Sequence, residues 1–382
     1  MTKTALCPVT DGNLPQSLEP VFRSMLALDE IQAILIARHL PMKPMVMPVL
    51  ISDPERLEQI DPFAPAFAMN AAKLVSRLTR KPAGGKIVVV LRPCEIRAYI
   101  ELIKLKQGVP DDVIIVGIDC PGTFKNTDYL KFAAAAGADA TATFLKAARA
   151  GGELQVADGI GLTSACKACE HPVPDAADLL IGIYGVDIDR EFLVAAQTPK
   201  GEALFDRLQL PDAPAPEARA AALDTLVTDR TAFRDAMFTR TREQTADLQK
   251  LAGYLSACVN CYNCRVACPV CYCRECVFVT DVFDHEPFQY LRWAKRKGAI
   301  KMPTDTLFYH LTRLAHMSTA CVGCGQCSNA CPNDIPLMEL FRATAHVTQA
   351  DFGYQAGRSI DEAPPLSVFR ENEFAEVTGG KH

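Results

Sequence analysis

Two short cysteine runs constrain this chain more than anything else in it. Cys258-Val-Asn-Cys261-Tyr-Asn-Cys264-Arg-Val-Ala-Cys268-Pro269 and Cys321-Val-Gly-Cys324-Gly-Gln-Cys327-Ser-Asn-Ala-Cys331-Pro332 both read C-x2-C-x2-C-x3-C-P. That is the spacing of bacterial-type ferredoxins with two [4Fe–4S] clusters, where the fourth cysteine of each run ligates the other run's cluster. Three cysteines wrap one corner of a cubane from a tight loop, and the fourth, followed by proline, leaves on the outgoing segment. We therefore expect one cluster on Cys258, Cys261, Cys264 and Cys331, and the other on Cys321, Cys324, Cys327 and Cys268. Structural zinc also uses C-x2-C pairs, but two complete runs with both prolines favour iron and sulfur.

The rest of the composition fits a chain that keeps these thiols on metal. Its 382 residues suffice for two or three domains with a sizeable core. A net charge of −5 gives no electrostatic case for nucleic acid binding. Sixteen cysteines would suggest disulfides in a small secreted protein. Here Met1 to Pro20 has no apolar export core and no cleavage site, and no run is apolar enough to span a membrane. A cytoplasmic protein is expected.

Along the chain, residues 1–20 read as irregular, with Pro8, Pro15 and Pro20. Val21 to Leu40 reads as helix stopped by Pro41, and Met45 to Ile51 as a strand. Asp53-Pro54 reads as cap and first turn of another helix, and Ala64 to Arg80 as helical. Gly84-Gly85 turns the chain into the β-branched strand Ile87 to Leu91. Then come a helix over Glu95 to Lys106, a strand over Val113 to Ile118, an alanine-rich helix over Thr127 to Ala150, and a strand over Ala177 to Tyr184. This alternation predicts an α/β domain with a largely parallel sheet over residues 1–210. Residues 211–255 form a proline–alanine linker and a long helix. Residues 256–341 form a mostly helical, bacterial-ferredoxin-type two-cluster domain. Residues 342–382 are a tail ending in polar, mobile residues. No G-x-G-x-x-G follows a strand, and no P-loop, H-E-x-x-H or G-x-S-x-G is present.

A third set of cysteines lies in the α/β half. Cys94 follows the strand ending at Leu91, Cys120 follows the strand ending at Ile118, and Cys166-Lys-Ala-Cys169 supplies a pair from a loop. Carboxyl ends of parallel strands open onto one edge, where ligands bind, so these thiols converge there. From spacing alone they read as a third [4Fe–4S] site, as a zinc site with His171, or as packing cysteines.

The segments around them resemble the coenzyme F-420 (deazaflavin) hydrogenase/dehydrogenase beta-subunit family. Leu91-Arg-Pro-Cys94-Glu-Ile-Arg-Ala resembles its T-P-C-Q-I-x-A-L segment, and Gly117-Ile-Asp-Cys120 its second cysteine segment. Cys166-x2-Cys169 with Ala177-Asp178-Leu-Leu-Ile-Gly182 resembles its C-x2-C…A-D-I-x-x-G segment. The resemblance spans about 85–210. It implies that Cys94, Cys120, Cys166 and Cys169 bind a [4Fe–4S] cluster beside a flavin. The family's glycine-rich turn before the first helix is replaced by Gly12-Asn-Leu-Pro-Gln-Ser-Leu-Glu-Pro20, without paired glycines. FAD is expected in the crevice through residues the sequence does not name.

The carboxyl half resembles formate dehydrogenase beta subunits in Cys268-Pro-Val-Cys271-Tyr-Cys273, in Phe308-Tyr-His310-Leu-Thr-Arg313-Leu-Ala-His316-Met317, and in Gly353-Tyr354-Gln-Ala-Gly357-Arg358. A similar C-P-x-C-x-C module occurs in sulfite-reductase and hydrogenase electron-transfer subunits. Cys7, Cys271, Cys273 and Cys276 read as packing or supporting thiols, with Cys271 a competitor of Cys268. His310 and His316 read as core or partner-contact residues. The basic stretch Arg292, Lys295, Arg296, Lys297 reads as a solvated face that suits an acidic redox partner. The resulting expectation is an electron-transfer subunit. It relays electrons between a catalytic oxidoreductase subunit, of the formate dehydrogenase kind, and a second redox partner. Alternatives are a self-contained iron–sulfur flavoenzyme reducing an organic substrate, an electron-transfer subunit of a hydrogenase or heterodisulfide-reductase-type complex, or a zinc-stabilised scaffold.

Overall fold

A computed structural model describes residues 3–149, 155–157 and 159–368. Its strands are β1 (Thr4–Pro8), β2 (Ile31–His39), β3 (Val46–Ile51), β4 (Lys86–Leu91), β5 (Val113–Ile118), the small hairpin β6 (Gln155–Ala157) and β7 (Ile160–Gly161), β8 (Leu179–Gly182) and β9 (Glu191–Ala196). Seven of them make one sheet in the order β1-β9-β8-β5-β4-β2-β3. The central strands β2, β4, β5 and β8 run parallel, while β3, β9 and β1 pair antiparallel. The sheet is thus mixed rather than largely parallel. The reason is connection length: β2 turns into β3, and β8 into β9, through short loops without a helix, and parallel pairing needs a crossover of a dozen residues or more. Pro48 and Pro8 both lie on edge strands, where a missing N–H costs no central ladder bond.

Side chains alternate between two cores as strand geometry requires. Val88, Val90, Ile114, Val116 and Ile118 face one side. There they meet the helix Leu14–Leu26 and the pair Asn126–Ala136 and Ala140–Arg149. Ile87, Val89 and Leu91 face the other side, against the helices Ala72–Leu78 and Pro93–Lys104. Each such fully buried aliphatic side chain is worth about 1.5–3 kcal/mol. The second core continues without a break into Leu251, Tyr309, Leu337 and Phe341 of the carboxyl half. The proline–alanine linker therefore joins two halves that share one core.

Several elements differ from the sequence expectation. Residues 1–20 hold β1 and most of the first helix, with Pro15 in its first turn and Asn13 accepting from the Gln16 N–H. Pro20 lies inside that helix on its exposed side, where water can satisfy the carbonyl it leaves unpaired. The helix expected over 21–40 stops at Leu26, and Ile31–His39 is β2. Its contiguous apolar run is buried on both faces, which periodicity cannot tell from a buried helix. Asp53 does cap at Pro54, but the helix is a single 3-10 turn, Pro54–Arg56. Only Ala72–Leu78 of 64–80 is helical. The alanine-rich helix breaks at Gly137, whose φ is +62°; Ala150 lies outside the described residues. Ala218–Gln244 is the long helix, followed by the separate Leu248–Tyr254.

The tail is not loose where it is described. The helix Leu337–Asp351 crosses position 341. Beyond it, the Tyr354 hydroxyl and the Gly357 N–H donate to Glu101 Oε1 at 2.6 and 2.7 Å, and Arg97 donates to the Ala356 carbonyl at 3.0 Å. A Cβ on Gly357 would stand 2.4 Å from the Arg97 Cα, so only glycine permits this approach. The polar end expected to be mobile, from 369 on, lies outside the described residues.

Candidate functional site

The carboxyl edge of the parallel strands is where the chemistry collects. Pro93 begins a helix directly after β4, so Cys94 occupies its first turn. Cys120 sits just beyond β5, its N–H bound to the Pro172 carbonyl at 2.8 Å. Cys166 lies in the short helix Ser164–Lys167, capped by Thr163, and the Cys169 N–H bonds back to the Cys166 carbonyl at 3.2 Å. All four line one cavity with Phe67, Arg92, His171 and Arg230, and Cys324 of the carboxyl half lines it too. Gly122, at φ +115°, gives the close approach: a Cβ there would lie 2.8 Å from Leu162 and 3.2 Å from the Cys166 Cβ.

Charge around this cavity is arranged by buried salt bridges and arginines. Asp119 is fully buried, takes two bonds from Arg219 at 2.6 and 2.8 Å, and accepts from the N–H groups of Ile183 and Tyr184. It thereby fixes the ends of β5 and β8 against the long helix. Arg230 donates to the Pro121 carbonyl at 2.8 Å, and Arg92 to the Ala64 carbonyl at 2.8 Å. Burial pushes the Cys94 thiol well above its ordinary value, with the thiols of Cys324, Cys120 and Cys169 adding repulsion. Burial also raises Cys120, opposed by Arg92 and Arg230. His171 is pushed down to about 3 by burial and by the cations Arg97 and Arg234, so it is a neutral imidazole at the cavity wall. Four thiols lining one cavity beside two guanidinium groups have the chemistry of an iron–sulfur donor set, without converging on a single metal ion.

In the carboxyl half the runs interleave. The Cys258 thiol is raised by burial first, and by Cys264 of its own run and Cys331 of the other. Cys327 is raised by burial, and among thiols by Cys268, Cys321 and Cys324. The thiol neighbours of Cys258, and likewise those of Cys327, thus come from both runs. Among the described residues no three His, Cys, Asp or Glu side chains converge as ligands of a single metal ion. Cys261 is exposed, whereas Cys264 is buried.

The helix Thr306–Met317 turns one face to the first run. His310 Nε2 lies 3.3 Å from Cys258 Sγ, and Arg313 Nη1 donates to Cys264 Sγ at 3.1 Å. The sequence alone reads His310 as a core or contact residue and does not single out Arg313; their spacing of three on one helix is the available signal. Arg92 and Arg230 carry no motif, so nothing in the sequence points to them. Asn70, beside Cys324, and the Phe67 carbonyl, which accepts from Gln326 at 2.9 Å and Asn329 at 3.1 Å, tie the second run to the α/β half. His316 is exposed. Cys7 is buried in β1, remote from both groups, and Cys273 is exposed. Cys271 is raised to about 11 by burial and then by Cys268. The basic residues 292, 295, 296 and 297 are all exposed.

Comparison with known proteins matches both halves. Residues 84–212 match the carboxyl-terminal part of the coenzyme F420 hydrogenase/dehydrogenase beta subunit. Residues 254–335 match a 4Fe-4S dicluster domain. The F420-dependent formate dehydrogenase subunit beta of Methanocaldococcus jannaschii is 28% identical over 322 residues, 78% of this chain and 79% of that protein. The F420-dependent formate dehydrogenase 1 subunit beta of Methanococcus maripaludis is 27% identical over 308 residues, 74% of this chain and 75% of that protein. A chain in a structure of the F420-reducing [NiFe] hydrogenase complex from Methanosarcina barkeri aligns with a TM-score of 0.46 and 14% identity, covering 65% of this chain and 93% of that one. No helix among the described residues is long and apolar enough to cross a membrane.

Proposed function

We propose that this chain is the iron–sulfur electron-transfer beta subunit of a formate dehydrogenase, relaying electrons between a catalytic partner subunit and a second acceptor. The reading assigns three [4Fe–4S] clusters: one to Cys94, Cys120, Cys166 and Cys169, one to Cys321, Cys324, Cys327 and Cys268, and one to Cys258, Cys261, Cys264 and Cys331. The observation that carries it is the shared cavity: a cysteine of the dicluster domain and the four thiols of the beta-subunit domain line the same wall. When bound, such a cluster takes and gives one electron without changing its ligands.

The chain's own residues then define a route. Cys324 borders the α/β thiols, Cys268 links the two runs, and the exposed Cys261 marks the outer end. The thiols of the two inner sets are partly shielded from water, whereas Cys261 is exposed. Arg92 and Arg230 offset negative charge at the α/β set.

FAD belongs to the same proposal. An apolar pocket at the carboxyl ends of β2, β4 and β5 shares Phe67 and Arg92 with the thiol cavity, and Ile36, Met69 and Val90 line it. The cavity as it stands has a volume of about 30 Å³, room for about one water, so a flavin ring would enter only if these walls part. The turn at Gly12 does not offer itself as the cradle: no neighbour lies within 4 Å of a Cβ there, and Asn13 already caps the following helix. A flavin in the pocket would convert single electrons into a two-electron step.

The test is anaerobic isolation of the native complex, with iron analysis, acid extraction of flavin and identification of bound subunits. About twelve irons per chain and a formate dehydrogenase catalytic subunit are expected. About eight irons would remove the α/β cluster, and a catalytic partner of another class would overturn the formate assignment. FAD missing from both the complex and the isolated chain would leave a one-electron relay.

A further inference from the structure

Arg313 is buried, at 4% exposure, in the core that the two halves share. Burying a guanidinium costs several kcal/mol unless a well-placed anion answers it. Near the α/β thiols, Arg219 has the Asp119 carboxylate, and Arg92 and Arg230 have backbone carbonyls. Arg313 has sulfur instead. Its Nη1 donates to Cys264 Sγ at 3.1 Å and its Nη2 to the Cys264 carbonyl at 3.2 Å, while Nε is buried without a partner. Its flat group stands 4.7 Å from the Phe341 ring and 5.5 Å from the Tyr309 ring, so it cannot swing toward water.

We propose that Arg313 is a positioning residue that sets the reduction potential of the Cys258–Cys261–Cys264–Cys331 site, by a charge-assisted hydrogen bond to the Cys264 thiolate. This rests on the iron–sulfur reading of the dicluster domain. Reduction adds one electron, supplied by the mediator, and breaks no bond; Arg313 stays protonated on both sides. The added negative charge spreads onto the thiolate ligands, and a fixed cation hydrogen-bonded to one of them favours the reduced state. The position also places two different groups of one helix on the first run: His310 meets Cys258, while the permanent charge of Arg313 meets Cys264.

The experiment is a potentiometric titration followed by electron paramagnetic resonance, on the anaerobically purified full chain. Cys258→Ser identifies which signal belongs to this site. In Arg313→Gln, that signal is expected to shift to lower potential by at least tenfold in the reduced-to-oxidised ratio at fixed ambient potential, about 59 mV for one electron. The α/β signal should stay in place. Arg313→Lys keeps the charge but cannot make both contacts, so about a threefold shift in the same direction is expected, and it decides the matter if the Gln variant does not load iron. Arg296→Gln, at an exposed site, controls for net charge and should shift nothing. Full iron content with an unmoved midpoint in both Arg313 variants overturns the inference. Wild-type protein lacking iron at the two runs overturns the reading beneath it instead.

Discussion

The two thiol regions of this molecule are built in opposite ways. The dicluster cysteines come from two compact runs, so their grouping is written in local spacing. The α/β cysteines come from three separated segments that meet only because β4 and β5 are parallel neighbours and end at one edge. A local run can hold its metal while the surrounding protein flexes; a site assembled by a sheet is only as good as the sheet. The surroundings differ likewise. The α/β set has Arg92 and Arg230 bonded to backbone carbonyls, close to the sulfur but not on it. The first run has Arg313 bonded to a sulfur directly.

The sharpest way to break this comparison is to remove one thiol from each region. Cys94→Ser and Cys327→Ser should each lower iron by about four per chain. The fold should respond differently. Cys327 packs against Ala165, Met237 and Met338, where the halves meet, so its loss should also weaken the α/β cluster. Cys94→Ser should leave both dicluster signals intact. Iron analysis with electron paramagnetic resonance checks both. Equal, purely local losses would show that the shared core does not couple the regions, as a separating linker would have implied.

How much of this is legible from sequence follows the same division. The run spacing, the strands at 46–51, 87–91 and 113–118, and the convergence of Cys94, Cys120 and the Cys166 pair are all readable, because each is a local pattern or one step of topology from it. What is not readable depends on contacts between distant segments. β2 reads as helix because its apolar run is buried on both sides, and without β2 and β9 the antiparallel pairings cannot be foreseen. Cys324 in the α/β cavity, and Arg313 on Cys264, each require the tertiary packing of elements with no shared motif.

A smaller effect probes the seam between the regions. Glu101 and Lys104 are buried as a pair at 3.1 Å, and Glu101 also accepts from Tyr354 and Gly357. Glu101→Gln removes the nearer of the two carboxylates that answer Lys104, leaving Glu362 at 3.8 Å, and should cost up to about 3 kcal/mol. Because the partners straddle the seam, the loss should appear as exposure of 352–357 in hydrogen exchange before global unfolding. Loss of global stability with unchanged protection there would mean that Glu101 serves its own helix only.

A pH dependence separates metal-free from loaded protein. Burial pushes Cys321 up to about 11, with Cys268 adding to it, and Cys271 likewise to about 11, against an ordinary value near 9. A folded state that holds thiols protonated loses stability once the unfolded chain can release those protons. The contribution is therefore complete below pH 9 and falls away as pH rises from 9 through 11, by up to about 1.4 kcal/mol per unit per thiol. In chelator-treated protein, denaturant midpoints should drop across that window. In loaded protein Cys321 has no proton to release, so the drop should shrink to the part owed to unligated thiols such as Cys271. Equal slopes in the two forms would show that Cys321 carries a proton, not iron, in the native protein.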